Sequence, residues 1–433
     1  MKYFSTNRKS PPVSFREAVL RGQPPDRGLF FPEKIPELSA EFRSRISEKP
    51  REGIAFEVIK PFVGGAIDDD SLFRICSETV NFDFPLVKIT ENIFALELFH
   101  GPTLAFKDVG ARFMSRCLQH FSAEKSEKTI VIVATSGDTG GAVANGFSGV
   151  EGVEVIILFP RGKVSRVQEL QLTTPGGNIS ALEVRGSFDQ CQTLAKTALA
   201  DEELNRRVFL TSANSINVAR WLPQQFYYFF ALQQWKKETA EAPVISVPSG
   251  NFGNICAGIL ARVAGLECRK FIAGTNANDI IPRFLQSGEM VEKPPLATLS
   301  NAMDVARPSN FVRILEIFDH DFLDLNENLE AVSVSDRQTA DTMRRVFEKT
   351  GYILDPHGAV GFFALEKHLE DDPRQKGFFL ETAHPVKFDS VEEITGTVGP
   401  VPPEIEDLSR LSARKTEIPA DYEELKRFIL GRI

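Results

Sequence analysis

The sequence contains little cysteine, five residues among 433, and no two of them form a C-x-x-C pair. An odd number of widely spaced thiols fits neither a disulfide framework nor a zinc site, so we expect reduced cysteines in a cytoplasmic protein. The six histidines and the carboxylates also lack the spacing of metal ligands. We therefore expect no metal.

Basic residues are in deficit, since 50 lysines and arginines face 59 aspartates and glutamates, which gives a net charge of −9. Nucleic-acid-binding proteins usually carry a basic face, so we expect no nucleic-acid partner. A small cluster of positive charge around an anionic metabolite is still compatible with this balance.

Long hydrophobic runs are missing. The most aromatic stretch, residues 226–230, is far shorter than the roughly 18 apolar residues of a membrane span. The opening residues resemble neither a secretory signal nor an organelle-targeting segment, and we expect no membrane partner. Hydrophobic residues nevertheless make up 42% of the chain, which is typical of a globular protein and, at this length, of about two to four domains.

From about residue 92, short apolar runs alternate with glycine-bearing turns and helical patterns. Near-continuous apolar strands are typical of parallel sheets covered on both faces, and their alternation with helices implies right-handed crossovers. We predict an α/β fold with two doubly wound open-sheet lobes, preceded by a small, mainly helical domain. The predicted strands are 93–99, 129–134, 153–159, 179–184, 208–211, 244–247, 268–273 and 378–382.

Changes of pattern along the chain predict three units. The units are an N-terminal domain at 1–85, a sheet region at 86–400 whose smaller inner lobe covers about 112–220, and a C-terminal extension at 401–433. Helices are predicted outside the sheet region at 13–21, 40–48, 71–80 and 420–430.

Two polar loops follow predicted strands, where open α/β sheets bind ligands. Residues 248–254 read P-S-G-N-F-G-N before a predicted helix, and residues 135–141 read T-S-G-D-T-G-G before a helix predicted from Ala142. Such loops make anion cradles from free N–H groups and a helix dipole. The alternatives are a plain tight turn for the first loop and an N-cap by Ser136 or Thr139 for the second. Together the loops indicate a ligand with two anionic ends.

A lysine and a threonine follow two other predicted strands. Lys107 lies in H-G-P-T-L-A-F-K-D among apolar neighbours, which depress a lysine's pKa and make it a nucleophile and base; a solvated surface lysine is the alternative. A phosphate cradle combined with an imine-forming lysine indicates pyridoxal 5′-phosphate. Thr382, in E-T-A-H-P, is the candidate partner for the pyridine nitrogen.

As a set, these motifs resemble those of a known family. H-G-P-T-L-A-F-K-D, T-S-G-D-T-G, N-S-I-N-V-A-R, P-S-G-N-F-G-N and E-T-A-H-P, with the opening V-S-F-R-E-A-V-L-R-G…G-L-F-F-P, are similar to threonine synthases of the longer microbial type. This group lies within the fold-type II pyridoxal phosphate enzymes. The resemblance implies conversion of O-phospho-L-homoserine and water to L-threonine and phosphate, by γ-elimination and then β-addition of water, as the last step of threonine biosynthesis.

The resemblance also implies residue roles. Lys107 is expected to form the internal aldimine with the cofactor and then to shuttle protons. The expected cofactor-binding residues are Lys107, Asp138, Thr382 and the phosphate loop Ser249, Gly250, Asn251, Phe252, Gly253 and Asn254. The residues expected at the substrate carboxylate are Thr135, Ser136 and Thr139. Many relatives carry Asn where this chain has Asp138. A carboxylate there would repel the substrate carboxylate and the cofactor oxygen unless it were protonated or turned towards a cation.

The substrate phosphate requires cations. Arg220, with Asn217 as a companion, and Lys163 are the candidates, because a planar guanidinium suits a phosphate; a solvated surface role is the alternative for Lys163. No motif separates the synthase from a phospho-lyase that gives 2-oxobutyrate, ammonia and phosphate, which is the alternative function. A cofactor-binding protein without turnover would be expected to lose the lysine or the phosphate loop, and both are present.

Overall fold

The computed structural model describes residues 1–122 and 129–432. The strands are β1 (Lys2–Ser5), β2 (Val13–Ser14), β3 (Phe30–Pro32), β4 (Leu86–Lys88), β5 (Ile93–Glu97), β6 (Thr129–Ala134), β7 (Val153–Pro160), β8 (Ile179–Arg185), β9 (Phe209–Ser212), β10 (Val244–Pro248), β11 (Lys270–Thr275), β12 (Leu329–Ser333), β13 (Gly377–Glu381) and β14 (Thr416–Pro419). The predicted strand at 129–134 is β6 with the same bounds, and the other predicted strands differ from the observed ones by one or two residues at either end.

Helices surround these strands. They are α1 (Phe15–Arg21), α2 (Ala40–Ser44), α3 (Arg51–Val63), α4 (Asp69–Thr79), α5 (Lys107–Ser122), α6 (Asp138–Phe147), α7 (Arg166–Thr173), α8 (Phe188–Ala200), α9 (Glu202–Asn205), α10 (Val218–Trp221), α11 (Phe226–Glu238), α12 (Gly253–Val263), α13 (Ile280–Ser287), α14 (Phe311–Ile317), α15 (Phe322–Asn328), α16 (Asp336–Thr350), α17 (Pro356–Leu369), α18 (Asp389–Thr395), α19 (Pro403–Ser409) and α20 (Tyr422–Leu430). Short 3₁₀ turns lie at Ile46–Glu48, Leu222–Gln225, Asn301–Met303 and Pro385–Lys387. In the part of the chain that the structure describes, none of the helices combines the length and the apolar character that crossing a membrane requires.

The larger of two open sheets has the order β12-β11-β10-β13-β5-β4. All of its neighbouring strands are parallel except β4, which runs antiparallel to β5. Strands β10 and β13 are buried along their whole length, as the continuous apolar runs predict for parallel strands covered on both faces.

The smaller sheet has the order β14-β8-β7-β6-β9 and is parallel throughout. Its edge strand β14 comes from the C-terminal part of the chain, with Thr416 opposite Leu182. Leu425 and Ile429 of α20 are buried in the same cluster as Leu194 on α8. Strand β14 and helix α20 therefore complete the smaller lobe.

The first residues add a small antiparallel sheet, β2-β1-β3, to the helices expected there. We also missed α3, whose Gly53 and Pro61 disfavour a helix, although Ile54, Val58 and Phe62 line its buried face. One core cluster joins this region to both lobes, and it contains Phe15, Phe113, Val131, Trp221 and Phe378.

One predicted boundary next to the site was wrong. Helix α6 begins at Asp138, four residues before the expected start at Ala142, even though glycine disfavours helix. The glycine at 140 is required by close packing, since a Cβ there would lie 2.4 Å from Leu172 and 2.5 Å from Thr135. Asp138 is therefore held by a helix rather than by a loop.

Candidate active site

Lys107 and Thr382 are brought together by two backbone hydrogen bonds between the segments that follow β5 and β13. These strands are parallel neighbours, so both segments leave the sheet at the same edge. The backbone N–H of Phe106 donates to the carbonyl of Thr382 at 2.9 Å, and that of His384 donates to the carbonyl of Leu104 at 3.0 Å. Lys107 then opens α5, next to the strand end that carries Thr382.

The turn before Lys107 is fixed by Asp108. This buried carboxylate accepts hydrogen bonds from the backbone N–H and the hydroxyl of Thr103, and Leu104 has a left-handed φ of 57°. Burial raises the pKa of Asp108, and the hydrogen bonds from Thr103 lower it in part. We assign Asp108 to holding the turn.

The Lys107 amine has no hydrogen bond or ion pair within the described residues, and Nζ lies 5.6 Å from the centre of the Phe106 ring. Burial is the main cause that lowers the pKa of Lys107; the Asp138 carboxylate raises it, and the charges of Lys387 and Arg220 lower it further. A free amine with reduced proton affinity is suited to attack a carbonyl carbon and to accept protons.

The loop after β6 uses one hydroxyl for its own fold and leaves two free. Thr135 Oγ1 accepts from the N–H groups of Gly137 and Gly140 at 3.0 and 2.9 Å. Ser136 and Thr139 are half-buried, and their hydroxyls have no partner in the ranges 1–122 and 129–432. Helix α6 has no side-chain cap at its N-terminus. This end of α6 can therefore receive an anion.

Asp138 forms a buried ion pair that the sequence analysis missed. Nζ of Lys387 lies 2.8 Å from Oδ1 of Asp138, and Nε2 of Gln168 donates to the same oxygen at 3.0 Å. Burial would raise the pKa of Asp138, but the charges of Lys387 and Lys107 and these hydrogen bonds outweigh it and hold the pKa well below its usual range. Asp138 is thus an anion turned towards a cation, and the position of Lys387 two residues after E-T-A-H-P was the available signal.

The loop after β10 has the form of an anion cradle. Phe252 has a left-handed φ of 60° and precedes α12, whose N-terminus has no side-chain cap. A Cβ at Gly250 would lie 2.7 Å from Cα of Met303, so only glycine fits there. The Asn251 side chain accepts from the N–H and the hydroxyl of Ser309, both at 3.1 Å. Ser249 is buried, and its hydroxyl donates to the carbonyl of Val247 at 2.8 Å.

Asn254 adds a side-chain donor to this cradle. Its Oδ1 accepts from the hydroxyls of Tyr227 and Tyr228, both at 2.7 Å, which fixes the orientation of the amide. Its Nδ2 is buried without a partner among the described residues. An unpartnered buried donor at an uncapped helix N-terminus fits a phosphate. The Thr382 hydroxyl, likewise without a partner in the described ranges, fits a ring nitrogen.

The three candidates for the substrate phosphate differ in their surroundings. Arg220 is buried; one Nη donates to the carbonyl of Ala213 at 2.6 Å, while Nε has no partner in the described part of the chain. Burial lowers the pKa of Arg220 to about 10. Asn217 caps α10 and donates to the carbonyl of Val19 at 2.8 Å, so backbone groups occupy its amide. Lys163 is exposed on the loop between β7 and α7.

Next to Thr382, the carboxyl group of Glu381 is fully buried and lies close to the buried carboxyl group of Asp355. Glu381 accepts from the backbone N–H of Asp355 at 2.7 Å, while Oε2 of Glu381 and Oδ2 of Asp355 are buried without a partner among the described residues. Burial is the main cause that raises the pKa of Glu381 well above its usual range, and the charge of Asp355 raises it further. Sequence analysis missed this pair, because Asp355 and Glu381 are 26 positions apart in the chain.

The raised pKa of Glu381 gives a test of stability against pH. A carboxyl pKa that is raised in the folded state stabilises the fold below its ordinary value of 4.5, and the stabilisation is lost as pH rises. Glu381→Gln keeps a hydrogen-bond donor but cannot ionise. We expect its Tm to exceed that of the wild type by a few degrees at pH 8 and to match it near pH 5, as measured by thermal unfolding.

The matched control is Glu330→Gln. The hydrogen bond from His368 holds the pKa of Glu330 below its usual range, so this variant should lose stability at pH 8 instead. An equal loss of Tm at both pH values in Glu381→Gln would show that Glu381 is not held protonated.

The chain matches three family descriptions: threonine synthase N terminus over residues 2–80, pyridoxal-phosphate dependent enzyme over 83–377, and threonine synthase, C-terminal, over 358–429. It is 42% identical to threonine synthase of Haemophilus influenzae, over 99% of this chain and 100% of that protein. Within the described residues, no group of three His, Cys, Asp or Glu side chains is placed to hold a metal ion.

Solved structures agree with the sequence matches. The crystal structure of threonine synthase from Escherichia coli has a TM-score of 0.93 at 42% identity and covers 100% of both chains. The crystal structure of pyridoxal-phosphate-bound threonine synthase from Brucella melitensis has a TM-score of 0.92 at 34% identity, covering 100% of this chain and 99% of that one. These findings confirm the family, the fold class and the cofactor predicted from the motifs. The chain belongs to the threonine synthase family of pyridoxal-phosphate-dependent enzymes.

Proposed function

We propose that this chain converts O-phospho-L-homoserine and water into L-threonine and phosphate at the site around Lys107. The relatives described above are threonine synthases, which favours this reaction over the phospho-lyase alternative. The observation that carries the proposal is the Lys107 amine, which has no partner within the described residues and a lowered pKa. Two uncapped helix N-termini, those of α6 and α12, lie in the loops that the motifs predicted as anion cradles.

The residues of the site suit pyridoxal phosphate. The loop from Ser249 to Asn254 would hold its phosphate, the Thr382 hydroxyl its ring nitrogen, and the Lys107 amine its aldehyde carbon. Bound there, the cofactor supplies an electron sink for the negative charge that develops at the substrate α-carbon. A hydroxyl partner, unlike a carboxylate, leaves the ring nitrogen largely neutral.

Lys107 acts as the proton carrier in this proposal. Its amine takes the proton from the substrate α-carbon and returns one to the same carbon after water has added at the β-carbon. A general base works best when its pKa is near the working pH. Burial and the nearby cations lower the pKa of Lys107, so more of the amine is neutral than for a surface lysine.

The hydroxyls of Ser136 and Thr139 bind the substrate carboxylate in our proposal. Both lie at the uncapped N-terminus of α6, where the helix dipole favours an anion. Asp138 does not contact the carboxylate, because its own negative charge is directed to Lys387 at 2.8 Å. Thr135 supports the loop through its hydrogen bonds to Gly137 and Gly140.

Arg220 anchors the substrate phosphate. Its Nε is a buried donor without a partner among the described residues, and it faces Lys107 closely enough to lower the pKa of that amine. Asn217 supports Arg220 by capping α10 rather than by touching the substrate. We keep Lys163, which is exposed, as the alternative anchor. We place the reaction in the cytoplasm, since the five cysteines are free thiols, as in a reducing compartment.

Product analysis tests this proposal. The purified holoenzyme is mixed with O-phospho-L-homoserine, and threonine, phosphate and 2-oxobutyrate are measured separately. We expect one threonine for each phosphate, and neither threonine nor 2-oxobutyrate from the matched substrate L-homoserine, which lacks the phosphate. Phosphate matched by 2-oxobutyrate would instead establish the phospho-lyase, and no phosphate would overturn the proposed substrate.

A further inference from the structure

Lys387 joins the two lobes across the site. It ends the 3₁₀ turn Pro385–Lys387 after β13 of the larger sheet, and its partner Asp138 begins α6 after β6 of the smaller sheet. The Lys387 side chain is fully buried, and 5% of the Asp138 side chain is exposed. A water-excluded ion pair of 2.8 Å thus crosses between lobes beside the reacting lysine.

The pair belongs to a hydrogen-bond network that contacts the two segments on either side of Lys107, the turn containing Thr103 and the start of α6. Nζ of Lys387 also donates to the carbonyl of Thr103 at 2.7 Å, within the turn that leads to Lys107. Helix α7 contributes two further donors, Gln171 to the Thr103 carbonyl at 2.9 Å and Gln168 to Asp138 at 3.0 Å. Lys387 is therefore the one group among these that contacts both acceptors.

We propose that Lys387 is a positioning residue for Lys107, because it fixes the two flanking loops and cancels the charge of Asp138 beside the reacting amine. This inference rests on the proposed function, in which Lys107 carries the cofactor. Neither family membership nor the motifs assign a role to Lys387, which lies outside the predicted site.

The charges around the amine determine the sign of the expected effects. Asp138 raises the pKa of Lys107, whereas Lys387 and Arg220 lower it. Burial is the main influence on the neighbouring Asp108 and His384, raising the pKa of the first and lowering that of the second, and the charge of Lys387 adds a smaller lowering effect on both. Loss of Lys387 leaves Asp138 uncompensated and favours a proton on the Lys107 nitrogen. Loss of Asp138 leaves two cations facing that nitrogen and disfavours the proton.

The test is a spectroscopic pH titration of the holoenzyme. The visible absorption of the bound cofactor changes when the nitrogen that links it to Lys107 gains or loses a proton. We expect Lys387→Met to raise the pKa of this titration by about one unit or more, and Asp138→Asn to lower it by about one unit or more. The double variant should return to within about half a unit of the wild type, because both charges are gone.

Removing one partner of a buried pair is strongly destabilising, so Lys387→Met alone can fail to fold, whereas Asp138→Asn keeps a side-chain oxygen that can accept from Lys387 and Gln168. In that case Asp138→Asn is compared with the double variant, because adding Lys387→Met should raise again the titration pKa that Asp138→Asn lowers. The matched control is Lys426→Met, which removes a lysine–aspartate pair of 2.9 Å between α20 and Asp201 and should leave the titration unchanged.

The outcomes separate this inference from the proposed function. A wild-type holoenzyme without a lysine-linked band or without threonine formation would overturn the proposed function. A wild type that makes threonine, with the same titration in Asp138→Asn and in the double variant, would overturn the role of Lys387 alone.

Discussion

Lys107→Ala is expected to lower kcat by more than about a thousandfold and to abolish the lysine-linked absorption band of the holoenzyme. The loss is large because one amine both holds the cofactor and moves the substrate proton. The Lys107 nitrogen has no partner within the described residues and contacts the Phe106 ring, so its removal breaks no ion pair. We therefore expect the Tm of the variant to stay close to that of the wild type.

Chemical rescue distinguishes this role from a structural one. Added methylamine should restore part of the activity of Lys107→Ala, because a small amine can enter the space left by the side chain. Lys107→Arg is the matched control: it keeps a cation facing Asp138 but leaves no space and no nucleophile, and we expect no rescue. Retention of more than a tenth of the wild-type kcat in Lys107→Ala would contradict the assignment.

Arg220→Ala is expected to raise KM for O-phospho-L-homoserine by about a hundredfold, since hydrogen bonds between charged groups contribute about 1.5–3 kcal/mol each. Inhibition by inorganic phosphate should weaken by a similar factor. The buried Nε of Arg220 has no partner in the described part of the chain, and a phosphate oxygen would supply one. Steady-state kinetics with both ligands measures the two effects.

Two further variants serve as comparisons for Arg220→Ala. Arg220→Lys keeps the charge without the planar fork, and its KM should lie between those of the wild type and Arg220→Ala. Arg161→Ala removes an exposed guanidinium that lies 3.2 Å from Glu417, close to Lys163 in the chain, and should leave KM unchanged. A large increase in KM for Lys163→Ala with none for Arg220→Ala would move the phosphate anchor to Lys163.

The strands that carry the site could be predicted because burial on both faces leaves a direct signal in the sequence. In Thr129–Ala134, every residue is buried and all but Thr129 are apolar, so the polar loop that follows is easily recognised. Short edge strands lack that signal. Strand β14 reads T-E-I-P with one buried residue, and only its pairing with β8 makes it a strand.

The electrostatics of the site could be predicted only in part. The identity of Asp138 showed that a carboxylate in this loop needs a proton or a neighbouring cation, but it did not show which residue supplies the cation. Lys387 becomes its partner because β13 and β6 belong to different sheets that meet at the site. The raised pKa of Glu381 could not be predicted for the same reason, since burial and the nearby charge of Asp355 cause it.

The most direct test of the central claim is the product assay carried out as a single turnover in ¹⁸O-labelled water. Elimination breaks the bond between the γ-carbon and the phosphate oxygen, and water then adds at the β-carbon. We predict threonine with one ¹⁸O in its hydroxyl and phosphate without label. Labelled phosphate accompanied by homoserine would show plain hydrolysis of the phosphate ester, and would contradict the role we assign to Lys107 and its surroundings.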